Sequence, residues 1–189
     1  MAQALTAGWP HRLFTLPDWE EMPVDESHHI ECSEGVLSVT PKPFPRHQLA
    51  MTNLVYLIRK HLPPDLIALP EVDVLITESP LTVRAPDVVV TTKAAVEANP
   101  PRLAVADIRL AVEIVSEGSR RTDRVTKRSE YAEAGIPDYW IIDLADPVTL
   151  TSFHLDRLSY RTAEEHKGVS SLTACGVVFN LDLGALTAL

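Results

Sequence analysis

A chain of 189 residues with 46% hydrophobic and 23% charged side chains can form one domain with a sizeable core, and wholesale disorder is excluded. Its 26 acidic and 17 basic residues give a formal charge of −9, which argues against a protein that grips nucleic acid over a broad basic surface. Cys32 and Cys175 lack C-x-x-C spacing and outline no thiolate zinc site, and no apolar run approaches the roughly 20 residues needed to span a bilayer.

Residues 1–27 are expected to form an arm with one short helix over 17–21, and residues 28–189 a single domain. The first 14 residues lack the basic and apolar regions of a secretory signal, so a cytoplasmic chain is expected. Strands over 29–33 and 36–40 flank Glu34-Gly35, a hairpin whose glycine supplies a positive φ. Pro41, Pro43 and Pro45 end that hairpin and lead into a helix over 46–61, with Met51, Leu54, Ile58 and Leu62 spaced by three and four. A strand over 66–76 is expected to pair with 83–91 across Ser79-Pro80, and a short helix over 94–98 to end at Asn99-Pro100-Pro101.

Residues 108–116 are apolar apart from Arg109 and Glu113, the pattern of a central strand buried on both faces. A helix over 121–134 stops at Gly135 with Pro137 beyond it. Strands over 139–142, 149–155, 159–162 and 175–179 complete a mixed sheet. The strand–helix–strand order calls for a parallel, right-handed crossover. The predicted architecture is therefore α/β, a mixed central sheet flanked by helices.

Two carboxylates stand out in this layout. Asp87 opens the apolar run Val88-Val89-Val90, and Glu113 lies inside Ala111-Val112-Glu113-Ile114-Val115. Each is costly to bury, and a shared cation offsets the cost, since Mg²⁺ favours one or two carboxylates with phosphate oxygens. They stand 26 residues apart, which leaves room for adjacent strands. The plainer readings are a solvated Asp87 at a strand end and a Glu113–Arg109 ion pair. Lys127 shares a helix face with Asp123 and Tyr131. It is either an exposed ion pair or a cation aimed at an attacking water. Arg120, Arg121, Arg124 and Arg128 surround it as candidate phosphate contacts. His47 opens the first long helix, and Glu31, Glu34 and Glu71 are further carboxylates near strands. No G-x-S-x-G, Walker lysine or G-x-G-x-x-G motif occurs.

The series Pro86-Asp87, Val112-Glu113-Ile114-Val115-Ser116 and Asp123-x-x-x-Lys127-x-x-x-Tyr131-x-x-x-Gly135-Ile136-Pro137-x-Tyr139-Trp140-x-x-Asp143 closely resembles the Uma-type family of restriction endonucleases. The resemblance covers roughly residues 28–185 and extends to Glu31-x-x-Glu34-Gly35 and His47. It implies the PD-(D/E)XK nuclease fold and metal-dependent cleavage of DNA, with Asp87 and Glu113 as the metal-binding acids. The superfamily's lysine stands two residues after the second acid, where this chain has Val115. The resemblance moves that role to Lys127 on the following helix, with Glu31 and His47 as secondary site residues. The expected function is a Mg²⁺- or Mn²⁺-dependent DNA endonuclease, with no membrane partner, and a homodimer suits cutting two strands. The rival readings are a catalytically silent nuclease-fold module that binds nucleic acid or protein, and a hydrolase of a smaller phosphoester.

Overall fold

In the computed structural model, which describes residues 12–23, 27–115, 122–161 and 164–189, the chain enters through helix α1 (Leu16–Glu20). Asp18 accepts hydrogen bonds from the backbone and hydroxyl of Thr15 at its start. Strands β1 (His28–Ser33) and β2 (Val36–Pro41) form the expected hairpin, turning at Glu34 and Gly35, both left-handed. Helix α2 (Pro45–Arg59) buries Ala50, Met51, Leu54 and Ile58 along one face.

The next segment corrects the sequence expectation. In place of one strand over 66–76 there are two, β3 (Leu66–Pro70) and β4 (Val74–Glu78), separated by a left-handed Glu71. Their partner is also divided, into β5 (Leu81–Arg84) and β6 (Val88–Thr92), with Pro86 between them. Proline has no N–H to give to a ladder, and a positive φ redirects a strand. The hairpin across Ser79-Pro80 therefore starts in one sheet, where β4 pairs β5, and ends in another, where β3 pairs β6.

Helix α3 (Lys93–Glu97), with Thr92 accepting from Ala95 N–H, leads to β7 (Leu103–Ala104) and the central β8 (Ile108–Val115). The following helix begins as a π-helical turn, Thr122–Lys127, and continues as α4 (Arg128–Glu133). Arg120 and Arg121 lie outside the described residues. Beyond a left-handed Gly135, β9 (Asp138–Asp143) runs parallel to β8, the predicted crossover. Then come β10 (Thr149–Asp156), β11 (Ser159–Tyr160), β12 (Glu164–Lys167), β13 (Val169–Ala174) and β14 (Val177–Asp182). The strand expected over 175–179 does not join the mixed sheet. Cys175 is a left-handed turn residue, and β13 and β14 pair with each other alone.

Among the described residues, one sheet has the order β2-β1-β5-β4-β7 and the other β11-β10-β9-β8-β6-β3, with β12 also on β10. Alternation along β6, β8 and β9 gives the second sheet two apolar faces. Val88, Val90, Leu110, Val112, Trp140 and Ile142 pack under α2, while Val89, Ala111, Tyr139 and Ile141 pack under Tyr131 and Ala132 of α4. Part of the expected arm is packed as well: Phe14 and Trp19 are buried against Cys32, Leu81 and Val83 of the first sheet.

Candidate active site

The two strand breaks meet at the seam between the sheets, where Glu71 N–H donates to Asp87 O at 3.2 Å. Val88 is paired with Val112, so Asp87 lies opposite Glu113, one residue further along the antiparallel register. The period of two directs Glu113 to the same face as Ala111, toward α4. The two acids proposed from sequence are thus brought together.

Lys127 and Tyr131 descend on Glu113 from the helix. Lys127 Nζ lies 3.0 Å from Glu113 Oε1, and Tyr131 OH donates to the same oxygen at 2.8 Å. Glu31, on β1 of the other sheet, completes the group, with Oε1 3.0 Å from Lys127 Nζ and accepting from Ala85 N–H at 3.0 Å. Asp123 Oδ1 stands 3.6 Å from the ammonium. The exposed Asp123–Lys127 pair is therefore overturned: Asp123 is 2% and Lys127 5% exposed. The ammonium sits between Glu113 and Glu31, and among the described residues no ion pair joins it to Asp87. Arg109 does not pair with Glu113 either; it donates to Ala106 O.

Asp87 is held from the other side. Its Oδ2 accepts Ile114 N–H at 2.6 Å and lies 3.3 Å from His47 Nε2, which is also 2.9 Å from Ile114 O. Burial lowers the proton affinity of His47, but the Asp87 hydrogen bond and charge, with the Ile114 carbonyl, raise it overall. His47 Nδ1 is buried without a hydrogen-bond partner among the described residues.

Charge in this pocket is unbalanced. Burial drives the Glu113 carboxyl well above the usual range; Lys127 opposes this, while Asp123, Asp87 and Glu31 reinforce it. Burial would raise Glu31 too, but Lys127, His29 and Arg84 hold it below the usual range. Lys127 is kept firmly charged because Glu113, Glu31 and Asp123 outweigh its burial. One ammonium thus serves several carboxylates.

A divalent cation suits this donor set. Neither Glu113 Oε2 nor Asp87 Oδ1 makes a hydrogen bond among the described residues, and neither is a sealed, unsatisfied atom. Among the described residues no group of three or more His, Cys, Asp or Glu side chains is disposed around a metal position. Two carboxylates are nevertheless within the range Mg²⁺ uses when substrate and water fill the remaining positions.

A family model described as "Uma2: Putative restriction endonuclease" matches residues 16–184. The chain belongs to the Uma2 family. A solved structure described as a putative nuclease belonging to DUF820 from Anabaena variabilis ATCC 29413 matches with a TM-score of 0.70 at 18% identity. The match covers 92% of this chain and 97% of that one, and it establishes the shared fold. No curated protein matches.

This Uma2 site includes residues that sequence reasoning passed over. Arg84, 2% exposed, joins Glu31 at 3.1 Å to Glu130 at 2.7 Å and so anchors β1 to α4. An arginine inside the apolar run Leu81-Thr82-Val83-Arg84 was its available clue. His29 Nε2 lies 3.7 Å from Glu31 Oε1. Of the expected basic cluster, Arg124 is 3.6 Å from Asp143 and Arg128 stacks over Phe153. No helix among the described residues is long and apolar enough to cross a membrane.

Proposed function

We propose that this Uma2 chain is a Mg²⁺- or Mn²⁺-dependent endonuclease acting on DNA, with Asp87 and Glu113 as the metal-holding acids. The observation that carries the reading is their opposition, at the start of β6 and within β8, each with one oxygen free of hydrogen bonds among the described residues, inside a pocket with excess negative charge. A bound divalent cation supplies an activated water and a clamp on the scissile phosphate.

The chain's own residues fix the acids. Ile114 N–H and His47 orient Asp87, while Tyr131 and Lys127 occupy Glu113 Oε1 and leave Oε2 for coordination. Lys127 places positive charge beside the reacting centre, where it stabilises developing negative charge at the phosphate. Its enclosure by Glu31, Glu113 and Asp123 supports a second reading, a catalytically silent nuclease-fold module in which Lys127 is only a counter-ion.

Calorimetric titration with Mn²⁺ tests the metal assignment. Wild type should bind, and Asp87→Asn and Glu113→Gln should bind at least tenfold more weakly with unchanged circular dichroism. Equal affinity in both variants would remove the shared site.

A further inference from the structure

Beside the carboxylate–lysine group the seam between the sheets is hollow. A cavity of about 370 Å³ opens there, with Trp19, Met22 and Ile30 contributing apolar wall and His29, Lys42 and Asp73 contributing polar groups. That volume falls at the small end of the about 300–1,000 Å³ typical of ligand sites. The cavity adjoins the proposed site through shared residues. Ala85 lines it and donates to Glu31, and Glu71 lines it and donates to Asp87 O.

Among its polar groups, His29 is already engaged by Glu31 at 3.7 Å, and Asp73 is less well satisfied. The Asp73 carboxylate is partly buried and accepts no hydrogen bond from any described residue, although its backbone carbonyl accepts Leu103 N–H. Burial raises its proton affinity, with His29 and Arg102 pulling the other way. The carboxylate is an acceptor, which suits a ligand that brings N–H donors. Lys42 is exposed and offers a cation for a phosphate. A flat ring carrying an amino group, joined to a phosphate, matches all three features.

We propose that this cavity receives one unstacked nucleobase of the substrate strand, with its amino-bearing edge held by Asp73 and its face covered by the Trp19–Met22–Ile30 wall. The inference rests on the nuclease reading, because it takes the ligand to be part of the strand presented to Asp87 and Glu113. A carboxylate accepts the N4 amino group of cytosine, whereas thymine offers a carbonyl at that position. Carboxylate and carbonyl would repel, so the cavity discriminates between the two pyrimidines.

The test uses the full chain in EDTA at low salt, so that no strand is cut, with fluorescence anisotropy of labelled oligo-dC and oligo-dT. Wild type should bind oligo-dC about tenfold more tightly, the size of one base-edge contact. Asp73→Asn, whose amide both donates and accepts, should bring the two affinities within about twofold while keeping the wild-type melting temperature. Equal binding of the two strands by wild type, no binding of either, or a preference that survives in Asp73→Asn would overturn the proposal. Asp87→Asn keeps the dC preference if the cavity acts as proposed. Its separate effect on Mn²⁺ affinity reports on the metal assignment alone, so either idea can fail without the other.

Discussion

Lys127 is where a single side chain carries the most charge compensation. Its ammonium lies 3.0 Å from both Glu31 and Glu113 and is closed off from solvent. Removing it would leave buried carboxylates facing one another. Lys127→Gln should therefore cost about 3–5 kcal/mol, the range for breaking a buried ion pair from one side. Urea denaturation checks this, and a loss within about 0.5 kcal/mol would return Lys127 to the status of a surface pair. Cys175 gives a prediction in pH. Burial, with the Asp138 charge adding and Arg109 opposing, pushes its thiol up from 9.0 to about 12. A raised folded value contributes stability that is fully present below the unfolded thiol's value and is lost as pH rises toward 12. At pH 8, iodoacetamide should label Cys175 roughly 10³-fold more slowly in the native protein than in urea, in proportion to thiolate. Labelling at the unfolded rate would contradict the burial argument. Asp87 and Glu113 were legible in the sequence because a carboxylate amid Val and Ile has an evident cost. The pairing of Arg84 with Glu130 was not, since the two come from different elements 46 positions apart.

Periodicity and turn chemistry carried most elements. The β1–β2 hairpin, α2, the buried β8 and the crossover through α4 to β9 follow from alternation, from three-and-four spacing, and from Gly35 and Gly135 at left-handed stops. Glu71 adopts a positive φ without being glycine, so nothing in its chemistry marked the break between β3 and β4. The turn between β13 and β14 did carry a mark, since left-handed Cys175 is followed by Gly176 at φ +71. The π-helical turn at Thr122–Lys127 is invisible to spacing, because it keeps Asp123 and Lys127 on a common buried side. Gly35 tests the turn argument directly. At its φ of +79, an added Cβ would stand 2.7 Å from Leu13 Cβ and 3.1 Å from Phe14 O. Gly35→Ala should lose about 1–3 kcal/mol through strain alone. Guanidinium denaturation reads this out, and an unchanged midpoint would mean the hairpin relaxes freely.

Across the whole molecule, the site depends on how the sheets meet. The first supplies Glu31 and Arg84, the second Asp87 and Glu113, and the helix between β8 and β9 supplies Lys127 and Tyr131. The seam arises because Pro86 and Glu71 interrupt one hairpin at matching levels, which opens a concave region beside buried acids. The mixed sheet was readable from the order of elements. Its division from the first sheet was not, since pairing across sheets is decided by tertiary contact. The central claim is that Asp87 and Glu113 hold a divalent cation that cuts DNA. Nicking of supercoiled plasmid by purified protein with Mg²⁺ or Mn²⁺, beside Asp87→Asn, tests it most directly. The account predicts metal-dependent conversion to open circles by wild type, abolished by EDTA and reduced at least 10²-fold in the variant, the scale of losing one transition-state stabiliser. Intact plasmid with both metals, or nicking by Asp87→Asn at the wild-type rate, would contradict it.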